Sequence, residues 1–76
     1  MSRFARITWA PAVMGGKPCI RGMRVTVDTV LRLMAAGRTA DEILAVYPYL
    51  ESADLQASLA YAAWRVDEVE VPLQTT

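Results

Sequence analysis

The sequence predicts a mainly α-helical domain that begins with a short β-hairpin and continues as three helices. In the first part, apolar and polar residues alternate on either side of a Gly-Gly pair, which is typical of strands joined by a turn. Further on, apolar residues recur at three- and four-residue spacing between helix start and stop signals. We expect one domain over residues 1–76: a hairpin and loop (1–27), three helices (28–66) and a C-terminal tail (67–76).

The two predicted strands cover residues 3–9 and 20–27, with Gly15 and Gly16 in the loop between them. Val25 and Val27 favour an extended backbone in the second strand. Because a single hairpin is only marginally stable in water, we expect the strands of two chains to pair. The predicted assembly is therefore a homodimer that forms through the N-terminal strands.

The first predicted helix runs from residue 27 or 28 to residue 36. Thr26 or Asp28 can cap its start, and Gly37 supplies a stop signal. Its apolar positions 27, 30, 31 and 34 fall on one face.

The second predicted helix opens with Thr39 and Glu42, whose three-residue spacing is that of a capping box, and ends at Pro48. Residues 48–51 then form a turn of about four residues, the length that joins the helices of a helix-turn-helix unit.

The third predicted helix, residues 52–66, carries two apolar faces. One holds Leu55, Leu59, Ala62 and Val66, and the other holds Ala57, Ala60, Tyr61 and Trp64. Because one small core cannot use both, we expect one face to pack on the first two helices. The face with Tyr61 and Trp64 is expected to meet a dimer mate, the N-terminal strands or another protein.

The charges are balanced overall but segregated along the chain. Residues 1–38 hold seven basic side chains against one acidic, whereas residues 39–76 hold one basic against seven acidic. This asymmetry indicates a basic binding surface and an acidic tail, or two halves that complement each other within a dimer. The hydrophobic fraction of 54% is more than a small monomer readily hides, which also favours a dimer or a partner.

Residue types exclude several kinds of chemistry. With one cysteine and no histidine, the chain lacks the ligands for a zinc site and a base for nucleophilic catalysis. We therefore expect no enzymatic activity, no metal and no cofactor. No signal peptide and no apolar run near 18 residues is visible, so a cytoplasmic protein without membrane contact is expected.

Two groups of residues are candidates for DNA contact. The first lies on and after the glycine-rich loop and consists of Lys17, Arg21 and Arg24. The second lies early on the third helix and consists of Ser52, Gln56 and Ser58. Because Glu51 and Asp54 beside the second group repel phosphate, we favour the basic N-terminal half as the surface that neutralises phosphates.

A separate set of apolar residues is a candidate for binding a partner protein. The acidic tail is too short for a core of its own and is expected to fold onto a partner, to continue the third helix or to pair within the dimer. The candidates are Tyr61, Trp64, Val66, Val69, Val71 and Leu73.

The segment from Gly15-Gly16-Lys17-Pro18 through Ile20 to Val27 resembles family 433 of the domains of unknown function, small bacterial proteins with a Gly-Gly-Lys-Pro turn, a strand and three helices. The resemblance covers about residues 9–63; Met23 and Thr26 stand where threonine and proline are common in that family. It implies a homeodomain-like helix-turn-helix fold.

The same resemblance implies the antitoxin of a type II toxin-antitoxin pair, which binds operator DNA and neutralises a PIN-like nuclease toxin. Two alternatives stay open at this point. One is a stand-alone DNA-binding regulator, and the other is a structural dimeric adaptor without DNA binding.

Overall fold

The computed structural model describes residues 4–68 and contains three helices and a two-stranded antiparallel hairpin. The strands are β1 (Ile7–Thr8) and β2 (Cys19–Ile20), with a 3-10 turn at Met14–Gly16 between them. The helices are α1 (Val27–Ala35), α2 (Ala40–Val46) and α3 (Ser52–Glu68). The predicted mainly α-helical class with an N-terminal hairpin is thereby confirmed.

The hairpin forms within one chain, where Ile7 lies opposite Ile20 and Thr8 lies opposite Cys19. The two paired isoleucines are buried against the helices, and this packing supplies the stability that an isolated hairpin lacks. A second chain is therefore not needed to hold the strands together. The homodimer remains a prediction.

The predicted second strand at residues 20–27 is wrong in extent. After Ile20 the chain reverses through Arg21 and Gly22, which have φ angles of 45° and 75°. The reversal brings Val25 back, so that its carbonyl accepts a hydrogen bond of 2.9 Å from the Ile20 amide. Thr26 then forms a bridge to Cys19. Residues 21–25 thus form a tight reversal between β2 and the bridge at Thr26, and α1 begins at Val27, so there is no single extended strand over residues 20–27.

The helix boundaries follow the predicted capping signals. The Thr26 hydroxyl accepts a hydrogen bond of 3.1 Å from the Thr29 amide at the start of α1. Gly37, with a φ of 89°, follows the end of α1. At the start of α2, the Glu42 amide donates to Thr39 at 3.1 Å and the Thr39 amide donates to Glu42 at 2.8 Å. The predicted capping box is therefore confirmed.

The core lies where the hairpin and the three helices meet. Its members are no more than 5% exposed, and they are Ile7, Ile20, Val25, Val27, Val30, Ile43, Leu50 and Leu55. On α3 the buried side chains are Asp54, Leu55 and Ser58. Leu59 and Val66, predicted on the same face as Leu55, are instead 45% and 72% exposed.

Candidate functional site

Asp54 is the centre of a charged network that joins the hairpin to the start of α3. Its side chain is fully buried and accepts hydrogen bonds from two arginines of the hairpin region. Arg6 donates through Nη1 at 2.9 Å, and Arg21 donates through Nε at 3.0 Å and Nη2 at 2.8 Å. The backbone amide of Glu51 donates at 2.8 Å. The carboxylate thus completes the first turn of α3 while it holds the hairpin in place.

The network keeps Asp54 ionised. Burial by itself raises the pKa of Asp54, but the hydrogen bonds from Arg21, the Glu51 amide and Arg6 outweigh burial and lower that pKa from 3.8 to about 2. Hydrogen bonds to Glu51 and Asp54 raise the pKa of Arg6, and the hydrogen bond to Asp54 raises the pKa of Arg21. The buried charge is therefore paired across the physiological pH range.

The acidic start of α3 is consequently compensated. Arg6 also pairs with Glu51 at 2.9 Å, so both carboxylates that were expected to repel phosphate contact an arginine. Arg21 was predicted to contact DNA, yet its guanidinium is bound to Asp54 and to the Tyr49 carbonyl at 3.1 Å. Arg21 therefore stabilises the fold, because contact with a phosphate instead would remove the hydrogen bonds that Arg21 donates to Asp54.

Two of the other basic side chains are also paired. Arg32 contacts Asp28 at 2.9 Å, and Arg38 lies 4.0 Å from Glu42. Among the described side chains, residues 4–67, the cations with no carboxylate inside 4.0 Å are exposed, and they are Lys17, Arg24 and Arg65. Two of the three predicted basic DNA contacts therefore remain available to a polyanion.

The predicted contacts on α3 separate into two groups. Ser52 and Gln56 are exposed, as expected for residues that approach DNA. Ser58 is fully buried and donates to the Asp54 carbonyl at 3.0 Å, so its prediction as an exposed DNA contact is wrong. The reason is helical geometry: residue 58 lies one turn after residue 54 and shares its inward face.

The predicted partner-binding aromatics belong to a surface cluster within the chain. Ring centroids are 5.5 Å apart for Phe4 and Tyr61, 5.4 Å for Phe4 and Trp64, and 5.7 Å for Trp9 and Tyr61. Of the three expected neighbours for this face of α3, the structure places the N-terminal segment there. Trp9 remains 51% exposed at one end of the cluster.

A groove lies at the other end of the aromatic cluster, between the N-terminal segment and α3. It is lined by Phe4, Ala60, Ala63, Trp64 and Asp67 and has a volume of about 600 Å³. Further along α3, Val66 is 72% exposed. The remaining predicted partner contacts, Val69, Val71 and Leu73, lie outside the described residues.

Sequence reasoning missed Arg6, Asp54, Phe4 and Trp9 as members of these clusters. A signal for Asp54 was present, since it lies three residues after Glu51, the spacing at which a side chain reaches back to the residue before a helix. Arg6 and Arg21 come together through the hairpin register, which brings the Arg21 amide to 2.8 Å from the Arg6 carbonyl. That register was not evident from the pattern of residues.

Neither a metal-binding cluster nor a membrane-spanning helix is found in the part of the chain that the structure describes. Residues 4–68 contain no group of three or more Cys, Asp or Glu placed to hold a metal ion, and Cys19 is buried. No helix within the same range is both long and apolar enough to cross a membrane.

Comparison with known proteins places the chain in a family. A family model described as "Protein of unknown function (DUF433)" matches residues 7–62. The protein belongs to the DUF433 family. The expected family resemblance is thereby confirmed, and the matched range includes the hairpin, Arg21, Asp54 and most of α3, but not Arg6.

Two similar proteins extend the comparison. The chain is 34% identical over 56 residues to uncharacterized protein y4eO of Sinorhizobium fredii, a match that covers 74% of this chain and 25% of that protein. A crystal structure of a DUF433 member from Anabaena variabilis superimposes with a TM-score of 0.76 at 33% identity, covering 83% of this chain and 62% of that one. The chain therefore spans a quarter of one relative and less than two thirds of the other.

Proposed function

We propose that this DUF433 protein is the antitoxin of a type II toxin-antitoxin pair, which binds operator DNA as a homodimer and neutralises a PIN-like nuclease toxin. The observation that carries the proposal is the exposed, charge-compensated start of α3. It follows α2 after a short turn, and both of its carboxylates are paired with arginines. A helix that begins in this way can approach a duplex without net repulsion.

The DNA-binding part of the proposal assigns separate tasks to two sets of residues. Ser52 and Gln56 face solvent at the start of α3, and a glutamine amide can form paired hydrogen bonds with adenine in the major groove. Lys17 and Arg24 are exposed and unpaired among the described residues, so they are available to neutralise phosphates.

The toxin-binding part of the proposal rests on the later half of α3. Leu59 and Val66 are exposed there, and the aromatic groove lies on the same helix. Exposed apolar side chains on a helix are the anchors by which helices bind partner proteins. We propose that the part of the chain after α3, residues 69–76, extends this surface through Val69, Val71 and Leu73.

A band-shift titration with the DNA upstream of the gene tests the DNA-binding part. A variant that combines Lys17→Ala and Arg24→Ala should bind about tenfold more weakly at low salt and should show a shallower dependence on salt, because counterion release falls with each lost phosphate contact. Arg32→Ala is the matched control, since Arg32 is exposed but already paired with Asp28. Equal weakening by the control would contradict the assignment of Lys17 and Arg24.

Co-purification with the product of the adjacent gene tests the toxin-binding part. The full chain should retain a nuclease, and truncation after Glu68 should release it while the helical circular dichroism signal persists. A DNA shift without any co-purifying protein would support the stand-alone regulator instead. Capture of a partner without a DNA shift would support the adaptor.

A further inference from the structure

The groove beside the C-terminal half of α3 combines an aromatic ring with a carboxylate. Ala60 and Ala63 are small residues of its lining, and Trp64 and Asp67 border the same open space. The groove is large enough for one long side chain from another molecule, with a volume of about 600 Å³.

The ring of Trp64 is held by its neighbours. Its centroid lies 5.4 Å from that of Phe4 and 5.9 Å from that of Tyr61, and Tyr61 in turn packs against Trp9. A ring fixed in this way loses little conformational freedom on binding. Tryptophan and tyrosine are also the residues most enriched among the energetically dominant contacts of protein interfaces.

Asp67 makes the groove negatively charged. Among residues 4–68 no lysine or arginine lies within 4.0 Å of its carboxylate, and the side chain is exposed. Residues three apart on a helix are neighbours, so the carboxylate and the Trp64 ring lie on the same side of α3. A cation is attracted both by the face of the Trp64 ring and by the carboxylate of Asp67. A nucleic acid strand that stacked on these rings would bring its phosphates close to the same carboxylate, which repels them.

We propose that this groove binds an arginine side chain of a partner protein, with the guanidinium against the ring of Trp64 and paired with Asp67. Arginine fits better than lysine because its planar guanidinium can stack on an indole and hydrogen-bond a carboxylate at once. The inference rests on the proposed function for the kind of partner, a protein toxin, and adds that the toxin presents a basic residue here.

Nuclear magnetic resonance titration of the full chain with the peptide acetyl-Gly-Arg-Gly-amide tests the site directly. The comparison peptide carries citrulline, which has nearly the same shape as arginine but no charge. The arginine peptide should shift the amide signals of Ala60 and Ala63 and the indole signal of Trp64 in a saturable manner. It should bind about fivefold more tightly than the citrulline peptide. Equal binding of the two peptides, or no shift, would overturn the proposal.

Two variants distinguish specific binding in the groove from general electrostatic attraction of the peptide to the protein. Asp67→Asn should weaken binding of the arginine peptide by about three- to fivefold, whereas Asp41→Asn removes the same charge from the start of α2 and should leave binding unchanged. Equal weakening by both variants would overturn the proposal. Two other results would also overturn it. If the signals of Ala60, Ala63 and Trp64 shifted with protein concentration in the absence of peptide, the occupant would be a second copy of the chain. If a dinucleotide shifted these signals as strongly as the arginine peptide, the groove would not be selective for arginine.

The outcomes distinguish this site from the proposed function. If no nuclease co-purifies but the arginine peptide binds, the assignment of the groove as an arginine site is supported and the antitoxin role is contradicted. If the nuclease co-purifies and the peptide does not bind, the groove assignment fails and the antitoxin role stands.

Discussion

Arg21 and Asp54, 33 residues apart in the chain, form a two-point ion pair with contacts of 3.0 and 2.8 Å. The pair connects the turn after β2 with the first turn of α3. Arg21 holds this contact from a backbone with a φ of 45°, a conformation that is unfavourable for a residue with a side chain. The ion pair therefore offsets local strain in the turn after β2.

Replacing Asp54 with asparagine should lower the free energy of unfolding by about 2 to 4 kcal/mol. The variant keeps the size of the side chain but leaves Arg6 and Arg21 without their shared counter-charge, and losing one partner of a buried pair is costly. Urea unfolding followed by circular dichroism measures the change. Asp41→Asn, at an exposed position, should change the unfolding free energy by no more than about 0.5 kcal/mol. Similar losses in both variants would show that the network does not stabilise the fold.

Stability should also fall in acid because of Asp54. Its pKa in the folded chain is about 2, below the ordinary value of 3.8, so the folded state favours the ionised carboxylate. The resulting stabilisation is fully present above about pH 4 and is lost as the pH falls through about 2. We expect a contribution of about 1 to 2 kcal/mol, allowing for the partial exposure of the two arginines.

Urea titrations between pH 5 and pH 2 measure this contribution. The Asp54→Asn variant should show a flatter pH profile than the unmodified chain, because it lacks the titrating group. Identical profiles would mean that other carboxylates account for the acid sensitivity.

Arg21 and Arg24 should behave differently although they are close in sequence. Arg21→Ala should lower the free energy of unfolding by about 1 to 3 kcal/mol, since it removes the bonds to Asp54 and to the Tyr49 carbonyl. Arg24→Ala, at an exposed and unpaired position, should stay within about 0.5 kcal/mol. Thermal unfolding of the two variants measures the difference. A larger loss for Arg24→Ala would contradict this division of roles.

Local signals predicted the helices well because they act over a few residues. Thr39 with Glu42, and Gly37 after α1, stand at fixed spacings that determine where helices begin and end. The hairpin was predicted, but the reversal at Arg21 and Gly22 was not, since a positive φ at arginine has no local sequence signal. The argument that the hairpin needs a second chain did not include the helices that cover Ile7 and Ile20. The homodimer itself stays a prediction.

The site was harder to predict than the fold because its contacts join distant residues. Periodicity assigned Leu59 and Val66 to a packed face of α3, whereas the buried face carries Asp54 and Ser58. Hydrophobic patterning cannot identify a polar residue that is buried because two arginines and a backbone amide satisfy it. The exposed positions of Lys17 and Gln56, in contrast, follow from a loop location and from helical spacing.

Replacing Gly37 with alanine should lower the free energy of unfolding by about 1 kcal/mol. Gly37 has a φ of 89°, and a Cβ built there meets nothing within 4 Å, so the expected cost comes from the backbone alone. Gly37→Asn is the matched variant, because asparagine tolerates positive φ better than alanine and should lose about half as much. Thermal unfolding compares the two. If Gly37→Ala were instead as stable as the unmodified chain, the stop after α1 would not require a left-handed residue.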